Sequence, residues 1–267
     1  MRHGLFCPPF DALADPATLA RLAAAAEAAG WDGMFLWDHL LYSGPVRDIC
    51  DPWICLAAMA AATSQLELGP MVTPLPRRRP AVVARQAATL DRLARGRLVL
   101  GFGLGDDFVG EFSRLGDVAD PRVRASQLDE GLEVLAALLS GRRVSHRGMH
   151  YTVADVSFHP GPSRPGGIPL WVAGRWPHRA PLRRAARHDG IVVIQMERPA
   201  QVAELRERLA GYGADLARFS VVVVGGQLNE PGPWEEAGVD WWLTQVGPYR
   251  IEPGQVRRMV EAGPPTT

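Results

Sequence analysis

The sequence predicts a closed parallel (β/α)8 barrel, a TIM barrel of the α/β class that forms a single domain over residues 1–267. Short β-rich runs alternate with helix-patterned segments from end to end, and eight such runs can be placed. The length of 267 residues is near the ~250 that one such barrel typically uses. An open doubly wound sheet is the main alternative.

The strand candidates are short, apolar and rich in β-branched residues. Runs such as 221–224, four consecutive valines, suit strands that are buried on both faces. The eight candidates are 2–8, 33–39, 66–73, 97–105, 168–174, 190–196, 219–225 and 241–246.

Helices are expected between these runs. Apolar residues recur at helical spacing in two places: Leu128, Leu132, Leu135 and Leu139, and then Val202, Leu205, Leu209 and Tyr212. Prolines at plausible first helical positions mark three helix starts, at Asp15-Pro16, Asp51-Pro52 and Arg198-Pro199. Residues 141–167 break the rhythm, and we interpret them as an excursion between the fourth helix and the fifth strand, with a small hairpin at 144–152.

Composition excludes several classes of function. The chain has 29 acidic and 29 basic residues and therefore a formal net charge of zero, so it has no overall positive potential to attract nucleic acid or an anionic membrane. Every basic residue is Arg, and the absence of lysine excludes Schiff-base chemistry. Cys7, Cys50 and Cys55 are odd in number and form no C-x-x-C pair, which fits reduced thiols in the cytoplasm. No apolar stretch approaches the ~18 residues that span a bilayer.

In a barrel of this kind the active site lies at the carboxyl ends of the strands, so candidate positions can be named in advance. They are 6–7, 38–39, 73–74, 103–107, 174–176, 195–196, 225–227 and 245–247. His39 is the only histidine among them, so no metal site is expected.

Asp38 and His39 close the second strand candidate. A carboxylate beside an imidazole can tune the imidazole and exchange protons near neutral pH. The alternative is a helix-capping aspartate beside a packed histidine.

The segment 101–107 closes the fourth strand candidate. It is no dinucleotide fingerprint, because Asp106 stands where the third glycine is needed. Gly103 and Gly105 can let a flat ligand approach the backbone closely. The alternative is a strand that needs small residues for packing in the barrel.

Segment 171–179 joins the fifth strand to a helix expected near Pro177. Backbone N–H groups at a helix start, with Arg175 and Arg179, suit a phosphate. Arg77, Arg78 and Arg79 follow the third strand, and we expect all five arginines to gather at one rim. A solvated basic turn is the alternative.

The stretch 52–62 is apolar nearly all round, whereas an outer helix of a barrel needs one wet face. We therefore expect a second copy of the chain to cover it, which makes the protein a homodimer. The alternative is a helix whose many alanines tolerate exposure.

Taken together, these segments resemble the bacterial luciferase-like (LLM class) oxidoreductases, which are (β/α)8 barrels that bind FMN or the deazaflavin coenzyme F-420. The segment Leu68-Gly-Pro-Met-Val-Thr-Pro-Leu-Pro-Arg-Arg-Arg-Pro80, continued through 84–105, is similar to the family's third and fourth strands. Trp37-Asp38-His39 resembles its second strand end. Segments 168–176 and 187–190 resemble its fifth strand, phosphate loop and sixth strand start.

The resemblance implies a set of site residues. Asp38, Thr73, Gly103 and Asp106 would border the ring of the reduced cofactor, and Ala173, Gly174 and Arg175 would hold its phosphate. A non-prolyl cis peptide, Met71–Val72, would lie behind the ring, and Gly105, Trp176 and Gln195 complete the expected cofactor-binding set. His39 would donate a proton or position the substrate, which makes His39, Asp38 and Asp106 the expected catalytic residues.

Three functions remain open. The first is an oxidoreductase acting on a small organic substrate, in which reduced FMN from a separate flavin reductase activates O2, as in a monooxygenase. Its variant is direct hydride transfer with coenzyme F-420. The second is a non-catalytic flavin-binding member of the family, and the third is an unrelated phosphate-binding barrel enzyme.

Overall fold

The computed structural model describes residues 1–225 and 230–265. Each of the eight predicted runs overlaps an observed strand, and the third run is split in two. In chain order the strands are β1 (Arg2–Cys7), β2 (Gly33–Leu36), β3 (Glu67–Pro70), β4 (Thr73–Pro74), β5 (Leu100–Gly103), β6 (Val144–Arg147), β7 (Thr152–Val156), β8 (Leu170–Arg175), β9 (Gly190–Ile194), β10 (Ser220–Gly225) and β11 (Trp241–Gln245).

The main sheet closes into a barrel. Its order is β3-β2-β1-β11-β10-β9-β8-β5-β4, and all of its paired strands are parallel. The two outermost strands, β3 and β4, are halves of one chain segment, separated only by Met71 and Val72. Leu68 of β3 also bridges to Leu98, just ahead of β5. The (β/α)8 prediction is therefore confirmed, and the open doubly wound alternative is wrong.

A helix follows each barrel strand. The helices are α1 (Pro16–Ala28), α2 (Pro52–Ala62), α3 (Pro80–Leu93), α4 (Pro121–Leu139), α5 (Arg179–Ala185), α6 (Gln201–Gly211), α7 (Gly232–Glu236) and α8 (Pro253–Glu261). No helix in the described part of the chain is both long and apolar enough to cross a membrane.

Two of the three predicted helix starts are confirmed. The Asp15 carboxylate accepts the Thr18 N–H at 2.8 Å, and the Asp51 carboxylate accepts the Ile54 N–H at 3.0 Å, so both are N-caps. The start predicted at Arg198-Pro199 is too early, because α6 begins at Gln201. The Gln201 side chain accepts the N–H groups of residues 197 and 198, which keeps them in a turn before the helix.

The excursion before β8 contains the predicted hairpin, which runs to Val156 and not to residue 152. Glu130 of α4 fixes it in place. Its carboxylate accepts the backbone N–H groups of His150 and Tyr151 at 2.9 and 2.7 Å and lies 3.0 Å from His146 Nε2. Burial opposes ionisation of Glu130, but these hydrogen bonds outweigh it and lower its pKa to about 2.

Side chains inside the barrel form a cluster separate from the larger core between sheet and helices. Alternate residues of each strand face inward, as the two-residue period of a strand requires. The buried members are Phe35, Met71, Val99, Trp171, Val192, Val222, Trp241 and Leu243. Phe6, Val72, Ala173 and Val224 pack on this cluster and are only partly buried, so they form its last layer at the carboxyl ends of the strands.

Candidate active site at the mouth of the barrel

Strand register divides the predicted site residues between two faces. Ala173 is paired with inward Val192 and belongs to the inner cluster, whereas a Cβ on Gly174 would lie 2.8 Å from Pro181 of α5. Thr73 is paired with Phe102, whose side chain belongs to the larger core between the sheet and the helices, the outer core. The mouth of the barrel, which is the opening at the carboxyl ends of its strands, therefore contains only some of the predicted residues. The others lie behind the strands, between the sheet and the surrounding helices.

The inward layer at the mouth is apolar. Phe6, Val72, Ala173 and Val224 are all partly exposed there. Trp37 continues the inward series of β2, and its Nε1 is buried without a hydrogen-bond partner among the described residues. The mouth therefore offers an apolar surface that a flat ligand could cover.

Asp38 lies behind the strands in a closed polar cluster. Its carboxylate accepts the Thr73 hydroxyl at 2.7 Å and the Trp53 Nε1–H at 3.3 Å. Arg77 and Arg78 donate to it at 2.9 and 3.0 Å. The residue is 2% exposed, so every group that neutralises its charge comes from the protein itself.

Glu111, which the sequence analysis did not single out, is the second carboxylate of this cluster and is also 2% exposed. Its Oε1 accepts the Leu40 and Leu41 N–H groups at 2.6 and 3.2 Å and Arg77 Nη1–H at 3.0 Å. Burial opposes ionisation, but the hydrogen bond to His39 and the Arg77 charge outweigh it, so the pKa of Glu111 is lowered.

His39 contacts Glu111 and not Asp38, which corrects the expected pairing. His39 Nδ1 lies 2.9 Å from Glu111 Oε2, and no hydrogen bond or ion pair joins Asp38 to His39 within the described residues. The physical reason is strand alternation, because successive residues after β2 point to opposite faces. Asp38 supports the cluster from behind, and Glu111 is the carboxylate at the imidazole.

Aromatic rings surround the His39 imidazole. Its ring centroid lies 5.1 Å from that of Tyr42 and 6.0 Å from those of Phe10 and Trp37. The His39 side chain is nevertheless 27% exposed, and its Nε2 makes no hydrogen bond to any described residue. The imidazole is therefore held on one nitrogen and accessible on the other.

The opposite side of the mouth is open. Arg175 and Asp106 are each 56% exposed and meet in a single ion pair of 3.4 Å. Gln195 is exposed and has a φ of +64° at the end of β9. Trp176 points away from the mouth, packs in the outer core and lies under the Arg208 guanidinium.

Packing accounts for the glycines that close β5. A Cβ on Gly103 would lie 2.7 Å from Val72 Cγ2, and one on Gly105 would lie 2.7 Å from the Phe112 ring. Gly105 also has a φ of +72°, which side chains rarely adopt. The protein's own atoms occupy the space that a side chain would need at both positions, which fits the packing alternative. A role of these glycines toward a cofactor stays a prediction. The expected Met71–Val72 peptide is cis.

The five arginines do not form one free positive patch, which corrects the expectation that a cofactor phosphate could use them together. Arg77 forms ion pairs with Asp38 and Glu111, and Arg78 forms one with Asp38. The two arginine side chains are only 3% and 18% exposed. Arg179 begins α5 and lines an outer cavity of about 470 Å³ with Arg183, Arg187 and Asp129. Arg79 is exposed at the start of α3, and Arg175 lies at the end of β8 in its ion pair with Asp106. Residues 226 and 227 of the expected seventh strand end lie outside the described residues.

The sequence offered little to identify Glu111. It lies in the loop after β5, 72 residues from His39, without periodicity or a flanking motif. The structure also contains no group of three or more His, Cys, Asp or Glu side chains placed for a metal within residues 1–225 and 230–265.

Several relatives carry the name F420-dependent glucose-6-phosphate dehydrogenase. The chain is 36% identical to an F420-dependent glucose-6-phosphate dehydrogenase of Beutenbergia cavernae over 61% of this chain and 48% of that protein. It is 32% identical to the enzyme of the same name from Nakamurella multipartita over 69% of this chain and 54% of that protein. The chain thus matches about half the length of these relatives.

Solved structures share the fold over nearly the whole chain. An F420-dependent secondary alcohol dehydrogenase in complex with an F420-acetone adduct has a TM-score of 0.79 at 17% identity, with 97% of both chains covered. The monooxygenase RslO1 of Streptomyces bottropensis has a TM-score of 0.77 at 20% identity, with 98% of this chain and 97% of that chain covered.

The profile of one family matches residues 1–227, which include strands β1 to β10 and the polar cluster around Asp38 and Glu111. The chain therefore belongs to the luciferase-like monooxygenase family.

Proposed function

We propose that this protein is an oxidoreductase that binds coenzyme F420 at the mouth of the barrel and transfers a hydride between it and a small hydroxyl or carbonyl compound. The observation that carries the proposal is the half-open apolar layer of Phe6, Val72, Ala173 and Val224, flanked by the His39 imidazole. The names of the relatives support F420 over FMN.

The residues present at the mouth fit such a cofactor. Its ring would lie against the apolar layer of Phe6, Val72, Ala173 and Val224. Arg175, whose one ion pair among the described residues is with exposed Asp106, would hold the anionic part of the cofactor. Hydride uptake or release, a two-electron step, is the chemistry that the deazaflavin supplies when it is bound.

The chain's own residues handle the proton. Oxidation of an alcohol removes a hydride from carbon and a proton from oxygen, and reduction of a carbonyl reverses both. His39 Nε2 would take the proton from the hydroxyl oxygen or return it to the carbonyl oxygen. The apolar layer and the surrounding rings exclude water from the reacting carbon.

Reconstitution tests the proposal. The purified chain is titrated with F420 and, separately, with FMN, and cofactor fluorescence gives both dissociation constants. We expect F420 to bind at least ~10-fold more tightly, a difference of about 1.4 kcal/mol. Binding of FMN alone, or of neither cofactor, contradicts the proposal.

The second candidate is the FMN-dependent monooxygenase. The family's description and the fold shared with RslO1 favour it. It requires reduced FMN from a separate flavin reductase, and therefore predicts O2 consumption only when such a reductase is added. A non-catalytic flavin-binding role predicts tight binding without turnover of any alcohol or carbonyl compound. A phosphate-binding barrel enzyme predicts that neither cofactor binds.

We also propose a homodimer formed through α2 and α3. Ile54 of α2 is 64% exposed, and Val82 of α3 is 52% exposed on the neighbouring helix. Burial of such side chains by a second copy is favourable. Light scattering after size exclusion should give twice the chain mass, and Ile54→Arg should give the mass of one chain. A wild-type chain that is monomeric throughout contradicts the dimer.

A further inference from the structure

We infer that Glu111 is a positioning residue that fixes the tautomer of His39, so that Nε2 is the nitrogen that exchanges protons with the substrate. This inference deepens the proposed function and rests on it for the identity of the reaction. Its first test measures the imidazole itself, without cofactor or substrate.

The hydrogen bonds of Glu111 divide unequally between its two oxygens. Oε1 accepts three N–H groups, from Leu40, Leu41 and Arg77, whereas the only partner of Oε2 is His39 Nδ1 within the described residues. Oε1 is thereby occupied by donors and cannot carry a proton. Arg77 also compensates the charge, so the group is a carboxylate that only accepts hydrogen bonds.

The tautomer follows from this geometry. A neutral imidazole has one N–H and one bare nitrogen, and the nitrogen that faces a carboxylate must be the N–H. His39 Nδ1 therefore donates to Glu111 Oε2 at 2.9 Å. Nε2 is the bare nitrogen, and the side chain that carries it is 27% exposed.

Among the side chains of this cluster, His39 is the one whose charge is not balanced by a partner of opposite charge in the other ion pairs. Asp38 and Glu111 are matched by Arg77 and Arg78 in direct ion pairs. These four buried charges sum to zero, so proton gain by His39 adds a single positive charge beside a neutral, preorganised cluster. The neighbouring rings of Phe10, Trp37 and Tyr42 restrict ring rotation.

The substitution Glu111→Gln gives a sharp prediction. The three N–H donors at the Oε1 position require an oxygen, so the glutamine carbonyl should occupy that position. The amide NH2 then takes the place of Oε2 and donates to His39 Nδ1, which moves the imidazole proton to Nε2. A substitution of almost unchanged size should therefore reverse the tautomer.

Nitrogen-15 NMR of histidine-labelled apoprotein measures this directly, at a pH above the titration of an ordinary imidazole. His39→Gln assigns the resonances. We expect wild-type Nε2 to resonate as a bare nitrogen and Nδ1 as an N–H, with the two reversed in Glu111→Gln. A wild-type Nε2–H, or equal populations of both tautomers, overturns the inference.

Glu130 provides a matched control. Glu130 of α4 binds His146 and two backbone N–H groups of the hairpin in a similar arrangement, and no hydrogen bond joins it to His39 or Glu111 within the described residues. Glu130→Gln should leave the His39 resonances and turnover unchanged. A change of the His39 tautomer in this variant would show that the effect is not specific to Glu111.

Kinetics of the F420-loaded enzyme completes the test. Glu111→Gln should lower kcat by roughly 10²-fold, the scale of a misplaced general base, with the KM for F420 unchanged. A reversed tautomer with unchanged kcat overturns the role of His39 Nε2 but leaves the oxidoreductase proposal standing. Failure to bind F420 defeats the oxidoreductase proposal, whereas the NMR result for Glu111 still stands.

Discussion

The two sides of the barrel mouth use charge in opposite ways. On the β2–β4 side, Asp38, Glu111, Arg77 and Arg78 are buried and bound to one another. On the β8–β9 side, Arg175 and Asp106 are more than half exposed and meet in one ion pair. The charges of the buried set are bound by one another inside the protein. The exposed pair can exchange its partner for a ligand at little cost.

Loss of Arg77 should have the largest effect on the stability of the buried side of the mouth. Arg77→Met removes the cation that bridges two buried carboxylates and leaves both undercompensated, so we expect about 3–5 kcal/mol lower free energy of unfolding. Urea denaturation measures it. Arg79→Met, at an exposed neighbouring position, should change stability by less than ~0.5 kcal/mol. Equal effects of the two substitutions would show that the buried network does not hold this side together.

The pH dependence of the unfolding free energy below neutral pH should also distinguish the buried side of the mouth from the exposed side. The pKa of Glu111 in the folded state is below its ordinary value of 4.5, so its contribution to stability is complete above that value. As the pH falls below 4.5 this contribution decreases and is lost. The difference in unfolding free energy between wild type and Glu111→Gln should therefore shrink toward acid pH. A difference that is constant or grows on acidification contradicts the assignment.

Trp53 should show a smaller effect. Its Nε1–H donates to Thr73 Oγ1 at 3.0 Å and to the Asp38 carboxylate at 3.3 Å, behind the strands. Trp53→Phe should cost about 1–3 kcal/mol, the scale of a buried acceptor left without its donor. A double-mutant cycle with Thr73→Val measures the coupling in urea. Strict additivity would mean that the two side chains do not act together.

Arg175 should show the smallest effect on stability and a selective one on binding. Arg175→Met should change the unfolding free energy by less than ~0.5 kcal/mol, because its ion pair is exposed. The same substitution should weaken F420 binding by roughly tenfold, a loss of about 1.4 kcal/mol. Fluorescence titration measures the affinity, with Arg179→Met on the outer cavity as the control. Equal affinities for wild type and Arg175→Met would remove Arg175 from the cofactor site.

Local patterns were enough to predict the barrel. The four valines of β10, the Asp-Pro starts of α1 and α2 and the leucine spacing of α4 each act over a few residues. The same approach misplaced the start of α6, where the Gln201 side chain competes for the N–H groups of the preceding turn. It also ended the hairpin too early.

The site was harder to predict, because a strand end does not state which face each side chain occupies. Asp38 and His39 are adjacent in sequence, yet one binds the cluster behind the strands and the other contacts Glu111. Gly174 and Ala173 separate in the same way, toward α5 and toward the mouth. The roles of these residues toward cofactor and substrate remain predictions.

The sequence by itself determined the alternation of strands and helices, the strand ends and the neutral, lysine-free charge balance, because these depend on composition and short-range periodicity. Only the tertiary structure decided that Arg77 and Arg78 form ion pairs with buried carboxylates and that Glu111 forms a hydrogen bond with His39. Those contacts join residues 34 to 72 positions apart. Their partners are selected by barrel closure and burial, which no local pattern records.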